Sequence, residues 1–139
     1  MYLLLLVSCY THRVKDLHQT YHIKAPVAKV WDALVNPKVI EKWSGSRAVM
    51  DANVGSKFSL WDGDIKGTNI KVVAERELAQ DWFGGKWDES SQVVFLLSEK
   101  DGVTTVELKQ ENIPDSEAAD IADGWKSYYI GPLTDLLEE

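Results

Sequence analysis

The 139-residue chain has few residues that support covalent or metal chemistry. Its single cysteine, Cys9, excludes an internal disulfide and fits a reducing compartment. Its three histidines, His12, His18 and His22, all precede or lie in the first predicted strand. His18 and His22 share one face of that strand but stand about 13 Å apart at ~3.3 Å per residue, so they cannot hold one metal ion. We expect partly exposed polar side chains there, with no metal site and no cofactor.

Motifs for the common enzyme chemistries are also missing. The sequence has no Cys-His grouping, no phosphate-binding glycine loop and no nucleophile elbow. Its carboxylates fall where solvent favours them: Asp62 and Asp64 flank a predicted turn, and Glu107 and Glu111 lie on the outer face of a strand. We therefore predict no catalytic residues, and an enzyme of the cyclase or hydrolase kind is the weakest interpretation.

Basic residues are fewer than acidic ones, with 15 Lys and Arg against 22 Asp and Glu and a net charge of -7. Such a surface repels the phosphates of nucleic acids and anionic membrane surfaces, so we predict neither as a partner. No apolar run approaches the ~20 residues that a membrane-spanning helix needs.

The first nine residues, MYLLLLVSC, resemble a short secretion leader that ends in a lipoprotein-type box at Cys9. No Lys or Arg precedes the apolar run, which is shorter than the roughly 7–15 residues of a signal-peptide core. We therefore predict that residues 1–15 are a poorly ordered extension, that residues 16–139 form a single domain, and that the protein is cytoplasmic. Lipoprotein export stays open as the alternative.

Strand-forming residues alternate with polar ones in residues 16–25, which predicts a first strand. Two short helices follow in PVAKVWDALV and KVIEKW, because Pro26 suits a first helical position and Asn36-Pro37 ends one helix and begins the next. Short turns, which require antiparallel neighbours, join six further predicted strands at residues 47–51, 57–61, 66–75, 78–83, 92–98 and 103–111.

A last helix is predicted from residue 115 to residue 137, where apolar residues recur at three- and four-residue spacing. Pro132 should kink it, since proline has no N–H to donate to the Tyr128 carbonyl. An antiparallel sheet has one apolar face to cover, and this helix is the obvious cover. We therefore predict an α+β fold in which a curved antiparallel sheet of about seven strands wraps around a long C-terminal helix.

Three segments, VWDALVNPKVIEKWSG, MDANVGSKFSLWDGDIKGTN and GWKSYYIGPL, resemble the C-terminal domain of the activator of heat-shock protein 90 ATPase. The resemblance spans roughly residues 17–138. It implies the helix-grip fold of the START-related, birch-pollen-allergen-like superfamily. Eukaryotic activators also carry a separate N-terminal domain with a basic patch that engages the chaperone's middle segment. The residues before the first strand here are too few to correspond to it, so the resemblance implies at most the half that docks near the chaperone's nucleotide-binding domain.

Six tryptophans are many for this length and favour a large apolar pocket or an exposed apolar surface that binds a partner. Trp125 and Tyr129 taken alone are most simply core, but the helix-grip resemblance implies a cavity between the last helix and the sheet. Tyrosine hydroxyls and tryptophan indoles would supply its fixed polar groups. Gln110 points inward and is either a core amide bonded to a hydroxyl of Tyr128 or Tyr129, or a ligand contact. The predicted cavity residues are Phe58, Leu60, Trp82, Phe95, Gln110, Trp125, Tyr128 and Tyr129.

Trp61 and Trp87 lie next to polar loops and have few apolar neighbours in the sequence. Each either folds over the mouth of the cavity or stays exposed as an anchor for a protein partner, because tryptophan is favoured at interface hot spots. These two residues are the predicted partner contacts.

The resemblance implies a non-enzymatic co-chaperone or adaptor, a monomer that binds a chaperone of the heat-shock protein 90 type. The alternative is a small-molecule carrier that holds an apolar ligand or lipid between helix and sheet. A well-packed interior would favour the first, and an enclosed apolar volume of several hundred Å³ would favour the second.

Overall fold

The computed structural model of the protein describes residues 14–84, 87 and 89–139. Most of the predicted extension, including Cys9 and His12, lies outside the described residues. The main elements are, in chain order, β1 (Val14–Ile23), α1 (Val27–Val35), α2 (Pro37–Ser44), β2 (Lys57–Leu60), β3 (Ile65–Val73), β4 (Glu77–Gly84), β5 (Ser91–Lys100), β6 (Val103–Pro114), α3 (Ala118–Gly124), a π-helical turn (Trp125–Ile130) and α4 (Gly131–Leu137).

The described strands form one antiparallel sheet in the order β1-β6-β5-β4-β3-β2. Strands β2 to β6 follow one another as a meander, and β1 pairs with β6 from Ile23 opposite Thr104 to Val14 opposite Pro114. This arrangement confirms the predicted α+β class, with two short helices after the first strand and a helical C-terminus.

One predicted strand is not a strand of the sheet. Residues 47–51 contribute an isolated bridge between Val49 and Ser59, so the described sheet has six strands where about seven were predicted. The pairing stops there because the Asp51 carboxylate accepts the Asn53 N–H at 2.9 Å and turns the chain.

Two irregularities and one glycine allow the sheet to curve. The register shifts between Lys15 and Leu17 on β1 and between Asn69 and Lys71 on β3, and such bulges bend a strand. A Cβ at Gly67 would lie only 2.5 Å from the ring of Phe58, so glycine alone lets this core ring cross β3.

The predicted boundary between the two short helices is confirmed. The Asn36 side chain accepts the Lys38 N–H at 3.0 Å and so caps α2, while Pro37 occupies its first position. Gly45, with φ of 74°, ends the helix in the left-handed conformation that glycine tolerates. The indole of Trp43 then ties α2 to α1 by donating to the Ala33 carbonyl at 2.9 Å.

The C-terminal helix contains the predicted irregularity at Gly131-Pro132, but in a different form. The N–H of Gly131 donates to the Lys126 carbonyl five residues earlier, so the turn from Trp125 to Ile130 is π-helical. A Cβ at position 131 would clash with that carbonyl oxygen, which explains the glycine. The bulge therefore precedes Pro132 and accommodates its missing N–H.

The core lies between the sheet and this helix. Trp125 is 3% exposed and Leu133 is 0% exposed, so both point inward as the apolar stripe predicts. Tyr129 and Ile130 complete the buried face of the helix. They pack into one hydrophobic cluster with the inward residues of the strands and with α1 and α2.

Candidate functional site

An aromatic pocket of about 370 Å³ opens between the sheet and the C-terminal helix. Its floor consists of Trp82, Gln110, Trp125 and Tyr129, all of which are buried. Its rim consists of more exposed side chains, of which Tyr128 is 67% exposed. The residues that line the aromatic pocket are Trp61, Asp64, Ile65, Trp82, Trp87, Gln110, Glu117, Asp120, Ile121, Gly124, Trp125, Tyr128 and Tyr129.

The predicted cavity residues divide into two groups. Those that line the aromatic pocket are Trp82, Gln110, Trp125, Tyr128 and Tyr129. The expectation that Phe58, Leu60 and Phe95 also line it is corrected, because all three are fully packed in the core. Phe95 lies against the rings of Trp125 and Tyr129, with centroids 5.7 and 5.6 Å apart, and these rings cover it.

The two predicted partner contacts, Trp61 and Trp87, both lie at the aromatic pocket and are partly buried. The Trp87 indole donates to a carboxylate oxygen of Glu117 at 3.2 Å, which links the loop after β4 to the start of the C-terminal helix. The ring of Trp61 meets Trp43 and Tyr129 edge-on, with centroids 6.3 and 6.0 Å apart. Both tryptophans therefore contribute walls to the pocket.

The backbone at Trp61 is strained. Trp61, Asp62 and Gly63 have φ of 49°, 55° and 98°, so three successive residues are left-handed in the hairpin between β2 and β3. The predicted Asp-Gly turn is present, but the strain begins one residue earlier. A bulky residue rarely adopts this conformation, which costs about 1–3 kcal/mol. The packing of Trp61 on Trp43 and Tyr129 holds it there.

A chain of buried hydrogen bonds fixes the indole of Trp125. Its Nε1 donates to Gln110 Oε1 at 2.7 Å, and Gln110 Nε2 donates to Ser91 Oγ at 2.9 Å. The Ser91 hydroxyl in turn donates to the Glu111 carbonyl at 2.6 Å. Gln110 is thus a satisfied core amide, but its partners are an indole and a serine, not the predicted tyrosine hydroxyls.

A second chain of the same kind fixes Trp82. Its Nε1 donates to Gln80 Oε1 at 2.7 Å, Gln80 Nε2 donates to Asn69 Oδ1 at 2.9 Å, and Asn69 Nδ2 donates to the Asp51 carbonyl at 2.8 Å. Sequence reasoning missed Gln80 and Asn69. The alternation of Leu78, Gln80 and Trp82 on one strand face already pointed to a buried amide at position 80.

The two chains decide which polar groups face the aromatic pocket. The N–H groups of Trp82 and Trp125 are both committed to glutamines, so the expectation that these indoles supply polar contacts is corrected. Their rings stack at a tilt, with centroids 4.9 Å apart. What they present to the pocket is aromatic surface.

The hydroxyl of Tyr129 is different. It is buried and has no hydrogen-bond partner among the residues that the structure describes. Burial raises the pKa of this hydroxyl well above its usual range, so it stays protonated at neutral pH. Tyr129 therefore carries an unsatisfied neutral hydroxyl, buried on a residue that lines the aromatic pocket.

Charge at the pocket is of one sign. Asp64, Glu117 and Asp120 contribute carboxylates to its lining, and no Lys or Arg of the described chain lines it. Two of these acids lie in the C-terminal segment, residues 115–139. That segment holds seven of the 22 acidic residues and one of the 15 basic residues, a net charge of -6 out of -7.

The histidines do not gather into a site. His18 Nε2 lies 3.8 Å from a Glu107 oxygen, and His22 Nδ1 is 3.1 Å from the Thr105 hydroxyl. Within residues 14–84, 87 and 89–139, no group of three His, Cys, Asp or Glu side chains is placed to hold a metal ion. No helix in the same ranges has the length and apolarity to cross a membrane.

A six-stranded antiparallel sheet closed by a C-terminal helix, with two short helices after the first strand, defines the helix-grip class of domains. A family model described as Activator of Hsp90 ATPase homolog 1-like protein matches residues 24–138. The chain therefore belongs to this family, which confirms the resemblance of its three sequence segments.

The chain is 25% identical over 124 residues to the mouse activator of 90 kDa heat shock protein ATPase homolog 2, covering 88% of this chain and 38% of that protein. It is 32% identical over 100 residues to the Dictyostelium discoideum activator homolog, covering 69% and 26%. It thus spans well under half the length of these curated relatives. Among solved structures, an HSP90 activator from Plasmodium falciparum matches with a TM-score of 0.82 and 24% identity, covering 88% of this chain and 96% of that one. This likeness shows the fold.

Proposed function

We propose that this chain is a regulatory domain that binds a chaperone ATPase of the heat-shock protein 90 type in the cytoplasm. It acts by contact with the chaperone and turns over no small substrate of its own. The observation that carries the proposal is the family match across residues 24–138. The hydrogen bond from Trp125 to Gln110 ties the C-terminal helix to the sheet, which supports the use of that helix as a rigid contact surface.

The C-terminal segment is the surface best suited to such a contact. Its net charge of -6 complements a basic patch on the partner, and Asp123 and Asp135 are among its exposed carboxylates. Charge complementarity of this kind mainly raises the association rate and weakens as salt screens it over a Debye length of about 10 Å at 0.1 M. Binding should therefore weaken as ionic strength rises.

The test is a calorimetric titration of the purified chain into heat-shock protein 90 from the same organism at several salt concentrations. We expect saturable binding that weakens with salt and that weakens further in the double variant Asp123→Asn/Asp135→Asn. The matched control is Glu75→Gln/Glu111→Gln, which removes two exposed charges outside the segment and should bind like the parent. Absence of binding at high micromolar concentration in low salt would overturn the proposal.

A second candidate function is the binding of a small molecule, and the aromatic pocket favours it. A volume of about 370 Å³ with a buried aromatic floor lies within the range of small-molecule sites. The pocket is open at its acidic rim, so it is a cleft and not the enclosed apolar volume that a lipid carrier would show. Native mass spectrometry of the chain purified without denaturation should then reveal a bound mass that is lost on unfolding.

A further inference from the structure

We propose that the aromatic pocket selects organic cations, molecules that join an apolar or aromatic body to an amine or a quaternary ammonium group. The proposal rests on the second candidate function, because it names the ligand class of that pocket. Three features of the lining carry it: its aromatic surface, the sign of the charge at the rim, and an unsatisfied hydroxyl on a lining residue.

The indoles offer the pocket aromatic surface, and most of them have no free hydrogen-bond donor. Three of the four lining tryptophans, Trp82, Trp87 and Trp125, have their N–H donors engaged by Gln80, Glu117 and Gln110 respectively. Since these N–H groups are engaged, the three indoles offer a ligand aromatic surface and no free donor. A cation within about 6 Å of an aromatic ring face is attracted by the ring quadrupole, most strongly for tryptophan.

The rings are also close enough to act together. Trp125 lies 4.9 Å from both Trp82 and Tyr129, measured between ring centroids, and Trp61 stands 6.0 Å from Tyr129. Trp82, Trp125 and Tyr129 are at most 5% exposed, so most of the ring surface that a ligand can reach belongs to the partly buried Trp61 and Trp87 and to the exposed Tyr128. Aromatic clusters of this kind recognise quaternary ammonium groups in other proteins.

The rim favours positive charge as well. The carboxylates of Asp64, Glu117 and Asp120 line the pocket, and no basic side chain of the described residues offsets them there. An anionic ligand of the same shape would be repelled. A cation would gain attraction from carboxylates that hold few other partners, since Glu117 accepts only the neutral Trp87 indole among its described hydrogen bonds.

The Tyr129 hydroxyl supplies the third feature. It is a buried, protonated hydroxyl on a residue that lines the pocket, and it lacks a hydrogen-bond partner in the described chain. If a ligand displaced the rings that cover this hydroxyl, a protonated amine could donate to it and a polar oxygen could accept from it. Either contact would remove the cost of leaving this group unsatisfied.

The test compares two molecules that differ only in charge. Benzyltrimethylammonium and its carbon isostere, neopentylbenzene, have the same shape, so a difference in affinity reports the cation alone. Titration is followed by tryptophan emission, because four of the six tryptophans line the pocket, and is repeated by calorimetry. We expect the cation to bind at least about tenfold more tightly than the isostere.

Variants then assign the preference to the pocket. Glu117→Gln/Asp120→Asn should lower the affinity for benzyltrimethylammonium several-fold, because it removes two lining carboxylates while an amide oxygen at position 117 can still accept the Trp87 N–H. The matched control, Glu75→Gln/Glu111→Gln, changes the net charge equally at exposed positions outside the lining and should keep the parent affinity. Circular dichroism of each variant verifies the fold.

Two results would overturn the inference. Equal binding of the two molecules would mean that the pocket takes small molecules without selecting charge, so the second candidate function would survive and the cation preference would not. Failure of benzyltrimethylammonium to bind at millimolar concentration would also refute the cation preference, and the second candidate function would then stand or fall with the native mass spectrum. Neither result bears on the chaperone proposal, whose titration uses a different partner.

Discussion

The hydrogen bond between Trp125 and Gln110 offers a quantitative test of how the helix is fixed to the sheet. Replacing Gln110 by Met keeps the side-chain length but removes the acceptor of the Trp125 N–H and the donor to the Ser91 hydroxyl. Trp125 is 3% exposed, so water cannot readily replace the lost acceptor. Leaving a buried donor unsatisfied costs about 1–3 kcal/mol, and we expect Gln110→Met to lower the free energy of unfolding by that amount.

The partner variant is Trp125→Phe, which removes the indole N–H and part of the ring. It leaves Gln110 Oε1 without its donor and opens a small space among the packed rings, so its expected cost is also about 1–3 kcal/mol. In the double variant the donor and the acceptor of this hydrogen bond are both absent, so neither is left buried without its partner. We therefore expect the double variant to cost at least about 1 kcal/mol less than the sum of the two single variants.

Urea unfolding followed by far-ultraviolet circular dichroism measures all four proteins without relying on tryptophan emission. The slope of the free energy against urea should be the same for each, so that midpoints report stability. Additivity within about 0.5 kcal/mol would refute the reasoning, since independent sites add to that accuracy. The same would follow if Gln110→Met alone had no effect.

Three further predictions follow from individual residues. Gly131→Ala should destabilise the fold by about 1–3 kcal/mol, because its Cβ would clash with the Lys126 carbonyl. Gly124→Ala should stabilise the helix by about 0.5–1 kcal/mol, because its Cβ meets nothing nearer than 3.9 Å. Thermal unfolding compares the two variants, and equal effects would contradict the role given to Gly131 in the π-helical turn. Tyr129→Phe should raise stability at neutral pH by up to about 1 kcal/mol. Burial raises the pKa of Tyr129, so above about pH 10 the unfolded chain releases the hydroxyl proton while the folded chain keeps it. The free energy of unfolding of the parent should therefore fall more steeply with rising pH than that of Tyr129→Phe. Parallel curves in alkaline denaturation would contradict this. Deletion of residues 1–12, which precede β1, should leave the melting temperature unchanged, and a large drop or a lipid on Cys9 would contradict the proposed extension.

The sequence predicted the element order well because most strands alternate inward and outward residues over their whole length. To predict the hairpin between β5 and β6, it was enough to have that alternation and the Asp101-Gly102 turn, in which both residues have positive φ. For residues 47–51 the alternation of inward and outward residues predicted a strand that the sheet does not contain. They have strand composition, but whether they join the ladder depends on the turn at Asp51, which the alternation pattern does not contain.

A cavity between the last helix and the sheet was expected from the family resemblance, and its chemistry could not be predicted from the sequence. Its aromatic residues could be assigned to inward faces from spacing alone, as Trp125 and Tyr129 were. The partner of Gln110 depends on the register between β5 and β6 and on the rotation of the helix, which bring Ser91 and Trp125 to it. Phe95 could not be separated from the lining residues for a similar reason, since only the packed position of the helix shows that it is covered.

We propose that this chain regulates a chaperone ATPase by binding to it. The most direct measurement is the steady-state rate of ATP hydrolysis by heat-shock protein 90 from the same organism as the chain is titrated in, with binding followed in the same samples. We expect the rate to change in a saturable way, with a midpoint equal to the Kd and shifted to higher concentration in Asp123→Asn/Asp135→Asn. An unchanged rate while the chaperone is saturated would contradict regulation, and the absence of binding at high micromolar concentration would contradict the claim as a whole.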